Sequence, residues 1–593
     1  MSASNKKKLR KQEAEAQMTK RQAAASKDAK KQKIYTMTFW VVIVLCVCIT
    51  IGALLTNPIK NVVYKNTVAV NVGEYSVNAV ELNYFYVDAI NTFYNQYSSY
   101  ISFLLSTSKP LDEQVYDQTT GESWADYFVS QAEYNIQSTY AVYDLAISEG
   151  YTLSEEDQSA LESTMTYMSL YASIYGYGSM DKYLQAIYGN GANEESYREY
   201  YEKCLIAESY YSYHADSLEY DAEALSTYDQ EHTGEFDSYT YASYYLAVNK
   251  FYAEDAGTLG EDGKTKTYTE EEIAAAVEAA KAAADSLAAG DYADLAAFDQ
   301  AIAELDINKT AEDDKSDTSN DENAEDKDTE DDASKDEDAE DEDTEEEKVT
   351  YKYLSNQEEI LYTSVNSLFR DWIIGKVAGE TEDDEPTFET RKEGDLTVIA
   401  YTSGSGENEK VNGYYVLRYG SSSNNRINLV NVRHILVMFK NAEGKTYSDG
   451  ISSFTEAQKK TAMLEANEIL ADFEAGEKTE EAFTALAKDK SDDTGSKTNG
   501  GLYEEVYPGQ MVTNFNDWCF DETRAAGDYG VIETEYGYHV MYFVDTCETL
   551  YRDFMITETI RSEDMAAWYE ALVDSMTVTE VNTKYVNKEM TIG

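Results

Sequence analysis

The sequence predicts an α+β protein of several domains, and three observations predict it. The chain has 593 residues, several times the usual domain size. From residue 79 to about 230 its apolar residues recur at helical spacing. Beyond that, strand-like and helix-like runs follow one another in a layout that occurs twice, first in 236–420 and again in 427–547. The formal net charge of −64 excludes a nucleic-acid partner, which requires a basic footprint. The 52 tyrosines admit two readings. They form a contact surface with apolar faces and polar tips, or they stand where other proteins use Leu and Phe.

Residues 1–33 hold eleven Lys or Arg against three acids, and an apolar run from Ile34 to Leu55 follows, ended by Asn57 and Pro58. About 20 apolar residues span a bilayer core. The reading is a cytoplasmic tail (1–33), one transmembrane signal anchor (34–56) and an extracytoplasmic remainder, oriented by the positive-inside rule. A cleaved signal peptide is the rival, with a shorter apolar core and a small-residue cleavage site that this run lacks. Cys46 and Cys48 follow Leu45 and Val47, not the small residue a lipid-modified cysteine needs. Outside the run stand Cys204, Cys519 and Cys547, too few for a disulfide framework and more in keeping with free thiols.

Val68, Val70 and Val72 alternate up to Gly73, and Tyr75 and Val77 resume after it, which predicts a hairpin. Helices are expected over Trp124–Ala146, stopped by Gly150, and over roughly 155–175, 180–188 and 194–218, with Ser154 and Asp157 opening the second. With its VNVGEYSV opening, the stretch 66–235 resembles the helical chaperone domain of the exported foldases PrsA and SurA. Residues 309–348 contain only polar, charged and small residues, too little apolar surface to offset chain entropy, so this block reads as disordered. It lacks the glycine and fixed ligand spacing of a calcium loop. In the last segment, 548–593, a helix is expected near 563–576, then a short strand through Thr579, Val581, Thr583 and Tyr585.

The repeat rests on spacing. Thr455 with Gln458 and Thr269 with Glu272 form capping boxes, each 21 residues before a glycine, Gly476 or Gly290. Phe515-x-Asp517-Trp518 answers Phe369-x-Asp371-Trp372, and Gly537-Tyr-His539-Val answers Gly413-Tyr-Tyr415-Val. His434-Ile-Leu-Val aligns with Tyr244-Tyr-Leu-Ala. Tyr244 and Tyr415 thus stand in for the histidines, and the first copy is expected to be catalytically dead.

Only four histidines occur, and two sit in apolar strand-like runs: His434 before Ile435-Leu436-Val437, and His539 before Val540-Met541-Tyr542-Phe543. Two buried histidines need partners, which each can supply to the other. A structural pair and a reactive one both fit. Zinc finds no acid or cysteine beside either histidine at ligand spacing.

NVRHILVMF (431–439), AFTALAKDKSDD (482–493), NGGLYEEVYPGQMVTNF (499–515) and TEYGYHVMYF (534–543) together resemble the parvulin-type peptidyl-prolyl isomerases, in the family's order. The resemblance implies a four-stranded antiparallel sheet with surrounding helices in 427–547, and a degenerate relative of it in 236–420. It implies catalytic roles for His434, Asp493 and His539 and a proline pocket of Leu502, Met511 and Phe515. No cofactor is implied. The family's Gly-Asp-Leu-Gly turn reads Gly500-Gly501-Leu502-Tyr503 here, which puts the pocket rim in question. The loop after Phe439 lacks the arginine cluster of phosphate-directed members, so no phospho-Ser/Thr preference is expected.

The function so implied is an extracytoplasmic isomerase and foldase, acting on unfolded or partly folded exported polypeptides with Xaa-Pro bonds, in a Gram-positive-type envelope. The resemblance also admits a homodimer, and it implies that the C-terminal segment packs on the N-terminal domain. A non-catalytic holdase, with the helical and parvulin-like domains as a client-binding cradle, remains open beside it.

Overall fold

The computed structural model describes residues 58–260, 264–308, 351–378 and 386–592. The expected tail, anchor and acidic block all lie outside the described residues. Among those described, no helix is long and apolar enough to cross a membrane. The chain divides into two compact units: Met1–Leu225 with Ser491–Asn499 and Thr557–Gly593, and Ser226–Lys490 with Gly500–Ile556.

The first unit is helical behind a short hairpin. Helix α1 (Pro58–Asn66) precedes strands β1 (Val68–Val72) and β2 (Tyr75–Asn78), paired antiparallel. Next come α2 (Ala79–Tyr97), α3 (Trp124–Ser148), α4 (Glu155–Ile174), α5 (Met180–Tyr188) and α6 (Glu194–Ser217). Side chains satisfy the orphan amides at their starts: Ser123 and Asp126 form a capping box on α3, and Ser154 accepts from the amide of Asp157 on α4. Inside the core the tyrosines follow the second reading. Tyr84, Tyr86, Tyr140, Tyr183 and Tyr197 are among its largest fully buried side chains, standing where Leu and Phe ordinarily would. The C-terminal segment belongs to this core through Val581, Val586 and Ile592. The strand expected there does not form. Val578 makes a single bridge to Val72, and Thr583–Tyr585 is a 3-10 turn, because the segment satisfies its backbone on β1 rather than in a ladder of its own.

The second unit holds two four-stranded antiparallel sheets of one topology. The first is built from β3 (Ser238–Ala247), β4 (Ser355–Leu361), β5 (Leu396–Ser403) and β6 (Lys410–Ser423), in the order β4-β3-β6-β5. The second is built from β7 (Asn428–Met438), β8 (Leu502–Val506), β9 (Tyr529–Glu533) and β10 (Gly537–Leu550), in the order β8-β7-β10-β9. Helices α7 (Glu270–Ala288) and α8 (Leu295–Ala303) follow β3, and α10 (Glu456–Ala475) and α11 (Glu480–Lys490) follow β7; the short helices α9 (Arg370–Ile373) and α12 (Thr513–Cys519) follow β4 and β8. Both capping boxes form, at Thr269 and at Thr455.

Alternation along the strands separates two cores in each sheet. In the second sheet Ile435, Val437, Val540 and Tyr542 pack against α10 and α11. Val432, Met541 and Phe543 pack on the other face with Phe515 and Trp518 of α12. The first sheet repeats this, with Tyr244, Leu246 and Val416 toward α7 and α8, and Tyr241, Leu417 and Tyr419 toward Phe369 and Ile373.

The shared topology corrects one alignment. His539 pairs with Leu436 on β7, and Tyr415 pairs with Tyr245 on β3. His434 lies two residues before Leu436, so its counterpart lies two before Tyr245, at Ser243. Tyr244 faces the other core, where its hydroxyl accepts from the Asn308 side-chain amide at 2.8 Å. The mismatch is one residue, and in a strand one residue reverses the face.

Candidate active site

Strand β7 carries His434 and the neighbouring strand β10 carries His539, on the face that packs against α12. Their Nδ1 atoms lie 2.9 Å apart, and both rings are buried, 3% and 5% exposed. At that separation one proton is shared between the two nitrogens, since two protons would collide and repel. The Nε2 of His539 is 2.9 Å from the Thr534 hydroxyl, which also receives the Tyr536 amide. Thr534, His539 and His434 therefore form one hydrogen-bonded line that fixes the orientation of both rings.

Phe515 presents its edge to both imidazoles, with centroids 5.6 Å from His434 and 5.5 Å from His539. Met511 packs in the same apolar cluster. Strand β8 sets Leu502 opposite Arg433, whereas Tyr503 sits opposite Val432 and lays its ring on His434 at 5.0 Å. Thus Tyr503 is the ring that this strand puts against the histidine.

Gly500 and Gly501 have φ of +79° and +77°. A Cβ on Gly501 would lie 2.1 Å from the His434 carbonyl oxygen, while the Gly501 carbonyl accepts the His434 amide at 2.9 Å. The double glycine is therefore what lets the turn close on the histidine strand. Arg433 holds the turn from the other face, donating to the Gly500 carbonyl at 3.1 Å and pairing with Glu480 at 2.8 Å.

Asp493 belongs to the segment Ser491–Asn499 of the first unit. There its carboxylate accepts from the Gly495 amide at 3.0 Å, the Ser496 amide at 3.2 Å and the Ser496 hydroxyl, closing its own turn. Cys519 and Cys547 are free thiols, with Cys519 pushed up to about 12 by burial, so it is inert at neutral pH. Among the described residues no cluster of His, Cys, Asp or Glu is placed to hold a metal.

Two members of this arrangement escaped the sequence reading, Thr534 and Tyr503. Thr534 stands in the quoted run TEYGYHVMYF, but nothing in its spacing from His539 says that the turn folds its hydroxyl back onto the ring. Tyr503 marks the departure from the family's turn, and its placement depends on the β7–β8 register.

The site also fits what the chain resembles. Residues 414–546 match the family described as PPIC-type PPIASE domain. Foldase protein PrsA 1 of Listeria monocytogenes serotype 4b (strain F2365) is 30% identical over 125 residues, 21% of this chain and 38% of that protein. Foldase protein PrsA 3 of Bacillus anthracis is 40% identical over 68 residues, 12% of this chain and 24% of that protein. A crystal structure of peptidylprolyl isomerase (PrsA) from Bacillus cereus is 27% identical, covering 26% of this chain and 50% of that one, with a TM-score of 0.16. The chain thus spans well under half the length of these curated relatives. Within residues 414–546 it carries a PPIC-type peptidyl-prolyl isomerase domain of the parvulin family, similar in sequence to the PrsA foldases.

Proposed function

We propose that this protein is an extracytoplasmic foldase, held at the membrane by its N-terminal apolar run, that isomerises Xaa-Pro bonds of exported polypeptides at the His434–His539 face. The observation that carries the reading is the hydrogen-bonded line Thr534–His539–His434 beneath the edge of Phe515. Amide resonance makes rotation slow, with a barrier of about 18–20 kcal/mol. No nucleophile or cofactor is needed to lower it. A site lowers it by binding the twisted amide better than either planar form. In this reading Phe515 and Met511 hold the proline ring, Tyr503 borders it, and the histidine pair is the hydrogen-bonded floor beneath the rotating bond. Leu502 is kept at the pocket only because its place in the resemblance implies it, since its strand pairs it with Arg433. Asp493 is proposed to act near the rotating carbonyl, as its place in the resemblance implies. The sheet of residues 238–423 is read as a degenerate parvulin-like domain without catalysis, because Ser243 and Tyr415 occupy the histidine positions.

The test is isomerisation of an Xaa-Pro tetrapeptide series by the full chain and its His539→Ala form. The expected result is acceleration by the parent chain and a loss of about tenfold or more in kcat/KM in the variant, equivalent to about 1.4 kcal/mol of transition-state stabilisation. No acceleration with any Xaa, from folded protein, would transfer the function to client holding. One observation supports holding as a second activity: Tyr100, Phe103 and Leu104 of the helical unit are exposed together, Phe103 by 85%.

A further inference from the structure

The first sheet has lost the histidines, but not a cavity on the corresponding face. A space of about 450 Å³ opens there, walled by the rings of Tyr241, Tyr245, Tyr353, Phe369 and Tyr415. Its polar lining is Ser243, Ser355, Gln357 and Asn366, with no charged side chain. In a chain of net charge −64 that neutrality is informative. A ring-lined depression without counter-charges offers an ion no partner for the water it gives up, and so favours uncharged groups. The volume lies within the range of sites that take a small molecule or a short stretch of peptide.

The rings are arranged to receive another ring. Tyr245 and Tyr415 have centroids 4.6 Å apart, tilted by 36°, and Phe369 meets Tyr415 edge-on at 5.0 Å. Both tyrosines are only half-buried, so part of each ring remains accessible. Gly413 makes room for this geometry. A Cβ there would lie 2.5 Å from the Tyr245 ring and 2.5 Å from the Leu246 carbonyl oxygen, so any larger residue would push Tyr245 off the strand. The glycine answers Gly537 of the second sheet, but here the space it leaves holds a tyrosine ring.

Two lining residues, Ser355 and Gln357, lie on β4, which is the edge strand of its sheet. An edge strand offers a row of backbone donors and acceptors to an extended chain. An aromatic pocket beside an available edge has the two parts of a peptide site: main-chain bonds for affinity, and a pocket for one side chain.

We propose that this cavity is a non-catalytic peptide site, which takes an uncharged extended segment, seats one proline or aromatic ring against Tyr245, Tyr415 and Phe369, and bonds the segment's backbone along β4. It deepens the client-binding part of the function above and stands apart from isomerisation. Rings and amides also suit a sugar, but a sugar would make no use of the edge strand.

The experiment uses the full chain and an uncharged decapeptide with a central Tyr-Pro and a benzophenone side chain, photocrosslinked and mapped by mass spectrometry. Crosslinks are expected on residues 238–247, 353–369 or 410–419, competed by the unlabelled peptide and not by a form carrying two aspartates. Tyr415→Ala is expected to weaken binding there about tenfold, the cost of removing one anchoring ring. Ser355→Asp tests the same point at an exposed rim position, whose hydroxyl accepts from the Gln357 side chain at 3.3 Å, and should weaken it similarly. Crosslinks confined to the second sheet, or displacement of the probe by a chito-oligosaccharide but not by uncharged peptide, would overturn the proposal. Tetrapeptide isomerisation separates the two readings, because Tyr415→Ala should leave it unchanged. Crosslinking to the first sheet in a chain without isomerase activity would overturn the isomerase reading alone.

Discussion

At the residue scale, the histidine pair was legible because a His amid aliphatic strand residues needs a buried partner, and each was the obvious partner of the other. What completes the pair was not legible. Thr534 reaches His539 only because the turn before β10 brings its hydroxyl to within 2.9 Å of Nε2. Thr534→Val keeps the shape and removes the hydroxyl. It should cost about 1–3 kcal/mol of stability, the penalty of a buried polar atom left without a partner. Loss of ring orientation should lower kcat/KM for Xaa-Pro tetrapeptides as well. Thr534→Ser should restore both. An unchanged urea midpoint and unchanged turnover in Thr534→Val would show that the hydrogen-bonded line is incidental.

At the element scale, helix starts were the most legible feature, since caps are local hydrogen-bond chemistry. Thr269 with Glu272 and Thr455 with Gln458 close the boxes their spacing predicts. Longer connections were hidden. Arg552 opens helix α13 (Tyr551–Ser575), and its guanidinium binds Asp229 at 2.6 Å and Asp237 at 2.5 Å while donating to the Asn424 carbonyl at 3.1 Å. One buried cation thus ties the chain before β3 to the link between the two sheets. Arg552→Met would leave two half-buried carboxylates facing each other. The expected loss is about 3 kcal/mol, the lower end for breaking a buried ion pair, because both acids keep some contact with water. It should appear as a lower thermal midpoint and faster hydrogen exchange in β3. No sequence pattern joins residues 229, 237 and 552, which lie more than 300 positions apart at the extremes.

At the scale of the whole molecule, the helical unit is assembled from both ends of the described chain. Gly73 donates to the Thr577 carbonyl at 2.8 Å, and Thr579 and Asn582 donate to Asn71 and Ala69. Val581, Val586 and Ile592 complete the apolar core, and Lys588 pairs with Asp126 at 2.5 Å. Ending the chain at Met576 should therefore destabilise helices encoded 400 residues earlier. Three buried aliphatic side chains carry about 1.5–3 kcal/mol each as an upper bound. The urea midpoint of α2 and α3 should fall, and those helices should become sensitive to protease. If protection there is unchanged, the terminal segment merely rides on the unit.

The sequence by itself carried most helix and strand segments though not the terminal turn at Thr583–Tyr585, the helix starts, the layout that two stretches share, and the two histidines that need a buried partner. Those are properties of periodicity, capping and order along the chain, all readable within a short window. Tertiary structure alone decided that Ser243 and not Tyr244 answers His434, that Tyr503 lies on the histidine ring, and that the first sheet keeps a tyrosine-walled cavity. Each depends on register between strands distant in sequence, set by hydrogen bonds, bulges and glycine turns in the partner strand. A slip of one residue there exchanges the two faces, and no local pattern records it.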